Sequence, residues 1–174
     1  MKKFAIVFST VLTLSIFGLA AQEKEQSKKT GAASSTKAAA TTEHKFFAPD
    51  QLQWGEAPPG LPPGAQMAVL DGDPGKTGSF TLRLKMPAGY KIAPHTHPTT
   101  ERVTVISGSA HLGMGAKFDE AAGQAVPPGG FVVLPARMQH FAWATEETVV
   151  QIHSEGPFKI NYVNPADDPR KAKQ

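Results

Sequence analysis

The chain has 174 residues, 40% of them hydrophobic, enough for one domain with a sizeable core and little room for a second. It contains no cysteine, which excludes disulfides, thiolate ligands and a lipid-modified cysteine anchor, and leaves any metal site to histidine and carboxylate. The formal charge of +3 reflects 18 basic and 15 acidic residues, and without Lys2 and Lys3 the balance is 16 to 15, so no basic face for nucleic acid is indicated.

Those two lysines precede an apolar run over residues 4–21, and Gly18 and Ala20 offer small residues at positions a signal peptidase reads. Residues 1–21 are therefore expected to be a signal peptide, leaving no stable membrane span after cleavage and a secreted or periplasmic protein. Residues 22–44 are rich in Ala, Ser, Thr and Lys without periodic apolar positions, the composition of a flexible low-complexity linker. The folded domain is expected over residues 45–165, followed by a polar tail over 166–174.

Residues 46–54 read as a first edge segment, and the Pro- and Gly-rich residues 58–64 exclude a helix there. Residues 66–70 and 79–86 are strand-like; the latter alternates Phe80, Leu82, Leu84 and Met86 against Thr81, Arg83 and Lys85, a half-buried strand with Arg83 and Lys85 facing water. Between them, residues 71–78 include Gly75-Lys76-Thr77, but a phosphate-binding loop needs glycine where Leu70 stands, and the downstream carboxylates of a calcium loop are missing. A hairpin turn is the remaining reading.

His95 and His97, two apart in an extended segment, project from one face at chelate spacing. Pro98 marks a strand end or bend, and Glu101 then leads the alternation Glu101, Val103, Val105, placing one carboxylate on an otherwise apolar inward face. Such a carboxylate beside two imidazoles is most cheaply kept by a shared cation. Residues 110–114 form the next strand, where Leu112 and Met114 share one face and His111 the other, which disfavours His111 as a ligand. Residues 117–128 are turn-rich. Residues 131–134, 140–144, 148–153 and 158–163 complete the strands, with Phe141 and Trp143 opposite His140. The absence of a 3.6-residue period and the short strands parted by Gly/Pro turns argue for an antiparallel sandwich or jelly roll.

The stretch Gly89, five residues, His95-Thr96-His97, three residues, Glu101, six residues, Gly108 resembles the first motif of the cupin superfamily at every fixed position. Gly129, Pro135 and His140 follow the spacing of the second, with Arg137 at the family's glycine and Ala144 at its usual asparagine. The resemblance implies an all-β fold, the double-stranded β-helix or jelly-roll barrel of a single cupin domain. It also implies a metal site of His95, His97, Glu101 and His140, and pairing into homodimers.

Such a set satisfies a divalent transition metal (Fe, Mn, Zn, Cu or Ni) while leaving positions open. The expected function is an exported metal-binding cupin, a metalloenzyme acting on a small organic molecule, with a dioxygenase-like oxidoreductase favoured. The alternative is a non-catalytic metal- or small-ligand-binding cupin. Gln151 and His153, if inward-facing, and Met138, two residues from His140, are candidate pocket-lining residues. Gln139, Gln151, His153 and Tyr162 are the available candidates for proton transfer.

Overall fold

The structure, a computed structural model, describes residues 44–171; the expected signal peptide, nearly all of the expected linker and the last three residues of the tail lie outside the described residues. Eleven strands follow in chain order: β1 (Gly55–Glu56), β2 (Gln66–Asp71), β3 (Gly78–Met86), β4 (Lys91–Thr96), β5 (Glu101–Ser107), β6 (Ala110–Met114), β7 (Gln124–Val126), β8 (Phe131–Leu134), β9 (His140–Ala144), β10 (Thr148–Gly156) and β11 (Asn161–Tyr162). Helical backbone among the described residues is confined to 3₁₀ turns at Pro49–Gln51, Glu120–Ala122 and Pro165–Asp167, and none of it is long and apolar enough to cross a membrane.

The strands form two antiparallel sheets, ordered β1-β2-β3-β10-β5-β8 and β11-β4-β9-β6-β7. The all-β jelly-roll expectation is met. Three details differ from the sequence reading. Residues 49–51 form a 3₁₀ turn where an edge strand was expected, the turn-rich connection contains the short strand β7, and strand geometry within residues 158–163 is limited to Asn161–Tyr162. In each case the window holds Pro or Gly, or too few alternating apolar positions, so long-range pairing rather than local pattern sets the outcome.

Period-two alternation places the core between the sheets. Phe80, Leu82, Leu84 and Met86 of β3 are each at most 4% exposed and pack with Val105, Val150 and Ile152. On the outer side of the same sheet Arg83 Nε donates to Gln151 Oε1 at 3.2 Å, and Lys85 Nζ sits 4.4 Å over the Trp54 ring. Outside the second sheet, Phe141 and Trp143 are buried under Phe118, whose ring lies 4.9 and 5.7 Å from theirs, as the parity opposite His140 required.

The two motif departures have definite structural consequences. Arg137 adopts φ 65°, so the left-handed turn a glycine would make is kept by a residue that is strained there. The turn matters because the Arg137 backbone N–H donates to His97 O at 2.8 Å, tying the two motifs together. Arg137→Gly is expected to raise stability by roughly 0.5–1 kcal/mol, the relieved strain less glycine's greater chain entropy; denaturant unfolding measures it, and an unchanged or lowered midpoint contradicts it. Ala144, fully buried, donates from its backbone N–H to Tyr90 O and accepts from the Gly89 N–H at 2.9 and 2.8 Å. Main-chain pairing thus fixes a position where the family carries a polar side chain.

Candidate metal centre

Four chain segments meet at one end of the barrel. His95 lies near the end of β4, His97 just beyond it, Glu101 opens β5 and His140 opens β9. His95 and His140 are register partners across β4 and β9. All four side chains are buried, at 3–6% exposure. The nitrogens that the three imidazoles present to one another lie within 4.8 Å, and the ring centroids are 4.9, 4.2 and 5.3 Å apart for the pairs 95–97, 95–140 and 97–140. Glu101 Oε2 stands 3.5 Å from His97 Nε2 and 3.4 Å from His140 Nε2.

Each ring's other nitrogen meets a backbone carbonyl. Nδ1 of His95 lies 2.8 Å from Ala93 O, that of His97 2.9 Å from Lys159 O, and that of His140 3.0 Å from Met138 O. A carbonyl has no proton to give, so Nδ1 is the donor in all three, and each ring when neutral keeps its lone pair on Nε2, which at His97 and His140 faces Glu101. This is the tautomer that ligates, fixed by the outer hydrogen bonds that metal-binding histidines characteristically make.

Burial favours the neutral ring at His95 and His97. Burial drives His95 down to about 3, with the charges of His140 and His97 adding to it, and burial likewise lowers His97 against the opposing pull of Glu101. Burial would push the Glu101 carboxyl up, but the hydrogen bond to His140 and the nearby His97, His140 and His95 outweigh it and hold it below its ordinary value. Neutral imidazoles beside an ionised carboxylate are the donor set a divalent first-row cation takes. Ligands about 2.0–2.2 Å from a shared ion lie on the order of 3–3.5 Å apart, the spacing found between Glu101 and two of the imidazoles. The residues present therefore fit such an ion.

These shifts imply a pH dependence for the metal-free protein. Below about 6.5 the unfolded chain protonates a histidine that the folded chain keeps neutral, so stability falls as pH drops from about 6.5 toward 3. Glu101, depressed in the fold, adds a loss of the same sign below its unfolded value of about 4.5. Thermal unfolding at stepped pH should show a melting temperature that declines steadily below pH 6.5; a flat profile from pH 7 to 4 contradicts buried neutral imidazoles.

The cluster borders two chambers. The larger, about 370 Å³, is lined by His95, His97 and Glu101 and by apolar groups that include Leu82, Ile152 and Phe158. Phe158 stacks on His97 at 4.2 Å and 10°. Residues 58–61 border this chamber, held in place where Tyr90 Oη donates to Pro62 O and Tyr162 Oη donates to Gly60 O at 2.8 Å. The smaller chamber, about 70 Å³, lies in the barrel interior on the side of His140.

Of the further candidates, the structure sets several aside. Gln151 and His153 lie on the outer face of β10, where they meet Arg83 and Thr81, because Val150 and Ile152 take the inward positions. They line neither chamber. The Met138 side chain is 39% exposed and away from the chambers; only its carbonyl serves the site. Gln139 is exposed. Tyr162 is engaged with Gly60 O, and burial followed by the Asp168 charge pushes its phenol up to about 12, out of reach for proton transfer near neutral pH.

Three features of the site escaped sequence reasoning: the stacking of Phe158, the wall formed by residues 58–61, and Arg170 at the larger chamber. Arg170 bonds Ile160 O at 3.0 Å and Asp168, so the chain contributes to the site beyond residue 165, where only a polar tail was expected. No periodic signal marks any of these, since each depends on contacts distant in sequence.

Comparison with known proteins agrees with this fold. The model of the ChrR cupin-like domain matches residues 42–159, well over half the chain. No curated protein matches. Among solved structures, the polyketide cyclase RemF from Streptomyces resistomycificus aligns at TM-score 0.61 and 17% identity over 76% of this chain and 94% of its own. A putative acetylacetone dioxygenase from Methylibium petroleiphilum aligns at 0.57 and 20% over 75% and 88%. An RmlC-like cupin from Shewanella frigidimarina aligns at 0.51 and 13% over 66% and 94%. At these identities the similarity establishes the fold.

Proposed function

The chain belongs to the ChrR cupin-like family, and from that premise we propose that it is an exported metallo-cupin that binds one divalent transition metal through His95, His97, His140 and Glu101 and acts on a small organic molecule as a dioxygenase-like oxidoreductase. The observation that carries the metal reading is the set of three clustered imidazoles, each with Nδ1 bonded to a main-chain carbonyl, two of them turning Nε2 toward one buried carboxylate. A bound ion supplies polarisation of a carbonyl or enolate and, with iron, manganese, copper or nickel, redox chemistry.

The protein's own part is to hold the donors, exclude water with apolar walls and admit a substrate. The 370 Å³ chamber is of small-molecule size. None of the four proton-transfer candidates reaches either chamber, which favours a reaction that needs no separate protein acid or base. The same observation suits the alternative reading, a cupin that binds a metal or small ligand without turnover.

Two experiments test the proposal. Metal-free protein is reloaded separately with Fe(II), Mn(II), Ni(II), Cu(II) and Zn(II), and dioxygen uptake is followed with a panel of small carbonyl compounds that includes 1,3-diketones such as acetylacetone. Uptake that requires a redox-active metal and substrate together is expected; binding of one ion without uptake on any substrate leaves the non-catalytic reading in front. Export is tested by the N-terminus of the mature protein, expected near residue 22, and an intact Met1 in the cytoplasm overturns it.

A further inference from the structure

The metal cluster divides the barrel interior unequally. His97 borders only the larger chamber and His140 only the smaller, whereas His95 and Glu101 border both, together with Leu84, Ile92 and Ile152. A guest in the smaller chamber would meet the cluster at His95, Glu101 and His140, and one in the larger at His95, His97 and Glu101.

The walls of the smaller chamber come from eight strands, β3 to β10. Val103 of β5, Leu134 of β8 and Val150 of β10 face Leu112 of β6 and Ala142 of β9 across the sandwich. Ala142 leaves space where its neighbours in the layer are branched. Polar groups enter this lining at the cluster, through His95, Glu101 and His140, and at His111, whose Nε2 lies 3.2 Å from Ser109 Oγ; Nδ1 of His95 and His140 is taken by main-chain carbonyls, and the rest of the wall is apolar.

Size and polarity together select the guest. A buried water needs two to four polar partners, and apolar cavities that lack them stay dry and take apolar guests; a cavity of about 150 Å³ is the size that holds benzene. The chamber here is about 70 Å³, too small for a ring and roomy for a diatomic molecule. We propose that this chamber is a holding site for dioxygen beside the cluster, and that the organic substrate occupies the larger chamber. The assignment of dioxygen rests on the oxidoreductase reading above, whereas the existence of an apolar gas site does not.

Xenon, an inert apolar atom of comparable size, probes the site in metal-free protein whatever reaction the protein performs. Methyl resonances of Val103, Leu112, Leu134 and Val150 should shift saturably under xenon pressure, and Ala142→Val should abolish the shifts while leaving the fold intact. If Ala142→Val does not fold, Val103→Ile fills the same space from the opposite sheet. Absence of saturable shifts in the wild type overturns the inference without touching the metal reading.

Where turnover is found, Ala142→Val should raise KM for dioxygen several-fold with kcat and the organic substrate's KM little changed. A rise confined to the organic substrate's KM would make the chamber a subsite for a substrate tail and overturn its assignment to dioxygen.

Discussion

Gly108→Ala should be the most damaging single-methyl change in the motif, lowering the melting temperature by about 10–20 °C or preventing folding. Gly108 turns β5 into β6 at φ +81°, a conformation costing a side-chain-bearing residue about 1–2 kcal/mol. A Cβ there would run into Glu147 O and lie 2.5 Å from Thr148 Oγ1 and 2.7 Å from Thr148 Cα. Thr148 has nowhere to retreat: it is fully buried, accepts from Ser109 N–H at 3.0 Å and donates to Glu146 O at 2.9 Å. Strain, overpacking and a weakened hydrogen bond together come to about 3–5 kcal/mol, a large share of a domain's ~5–15 kcal/mol. Gly115→Ala is the control, because φ is +111° there but nothing lies within 4 Å of the added carbon. It should lose only the backbone cost, and equal losses in the two variants would refute the packing argument.

Glu101→Gln should separate a metal site from a polar core. With every Nδ1 proton given to a main-chain carbonyl, an imidazole can satisfy Glu101 only by taking a second proton on Nε2, which burial opposes at His95 and His97. The neighbouring rings hold the carboxylate ionised, and a cation would satisfy it without a proton on any of them. A glutamine amide brings N–H donors to the Nε2 lone pairs and removes a buried charge. The metal-free variant should melt within a few °C of the wild type, while its affinity for a divalent metal falls at least as far as the ~10–100-fold typical of losing a group that supports a ligand. If the four residues were only a hydrogen-bonded core, the substitution would destabilise by the 3–5 kcal/mol of a broken buried pair and leave metal binding weak in both proteins. His95→Ala should lose metal more severely, because it removes a donor and opens space in the cluster.

The elements legible in the sequence were those with a local period. The alternation of residues 79–86 led directly to β3 and its buried face, and the two-residue spacing of His95 and His97 placed both rings in one cluster. His140 carries no local signal, and only the motif spacing linked it to the others before β4–β9 pairing set it opposite His95. Gln151 and His153 show the limit of treating polar residues as pocket candidates: parity left two orientations open, and the demand of Val150 and Ile152 for burial decided between them. Met138 was singled out for its side chain, yet its carbonyl is the group that works, a role any residue type could fill. The wall at residues 58–61 and the contribution of Phe158 and Arg170 were illegible because Pro- and Gly-rich segments and chain ends acquire position through distant partners rather than through pattern.

The most direct test of the account is an equilibrium titration of metal-free wild-type protein with a divalent metal against a competing chelator, with X-ray absorption on the loaded protein. One ion per chain is expected, with scattering from imidazole nitrogens and at least one oxygen, and with binding abolished in a His95→Ala, His140→Ala double variant that retains the fold. Substoichiometric binding, or binding that the double variant keeps, would contradict a metal centre at this cluster and with it the proposed function.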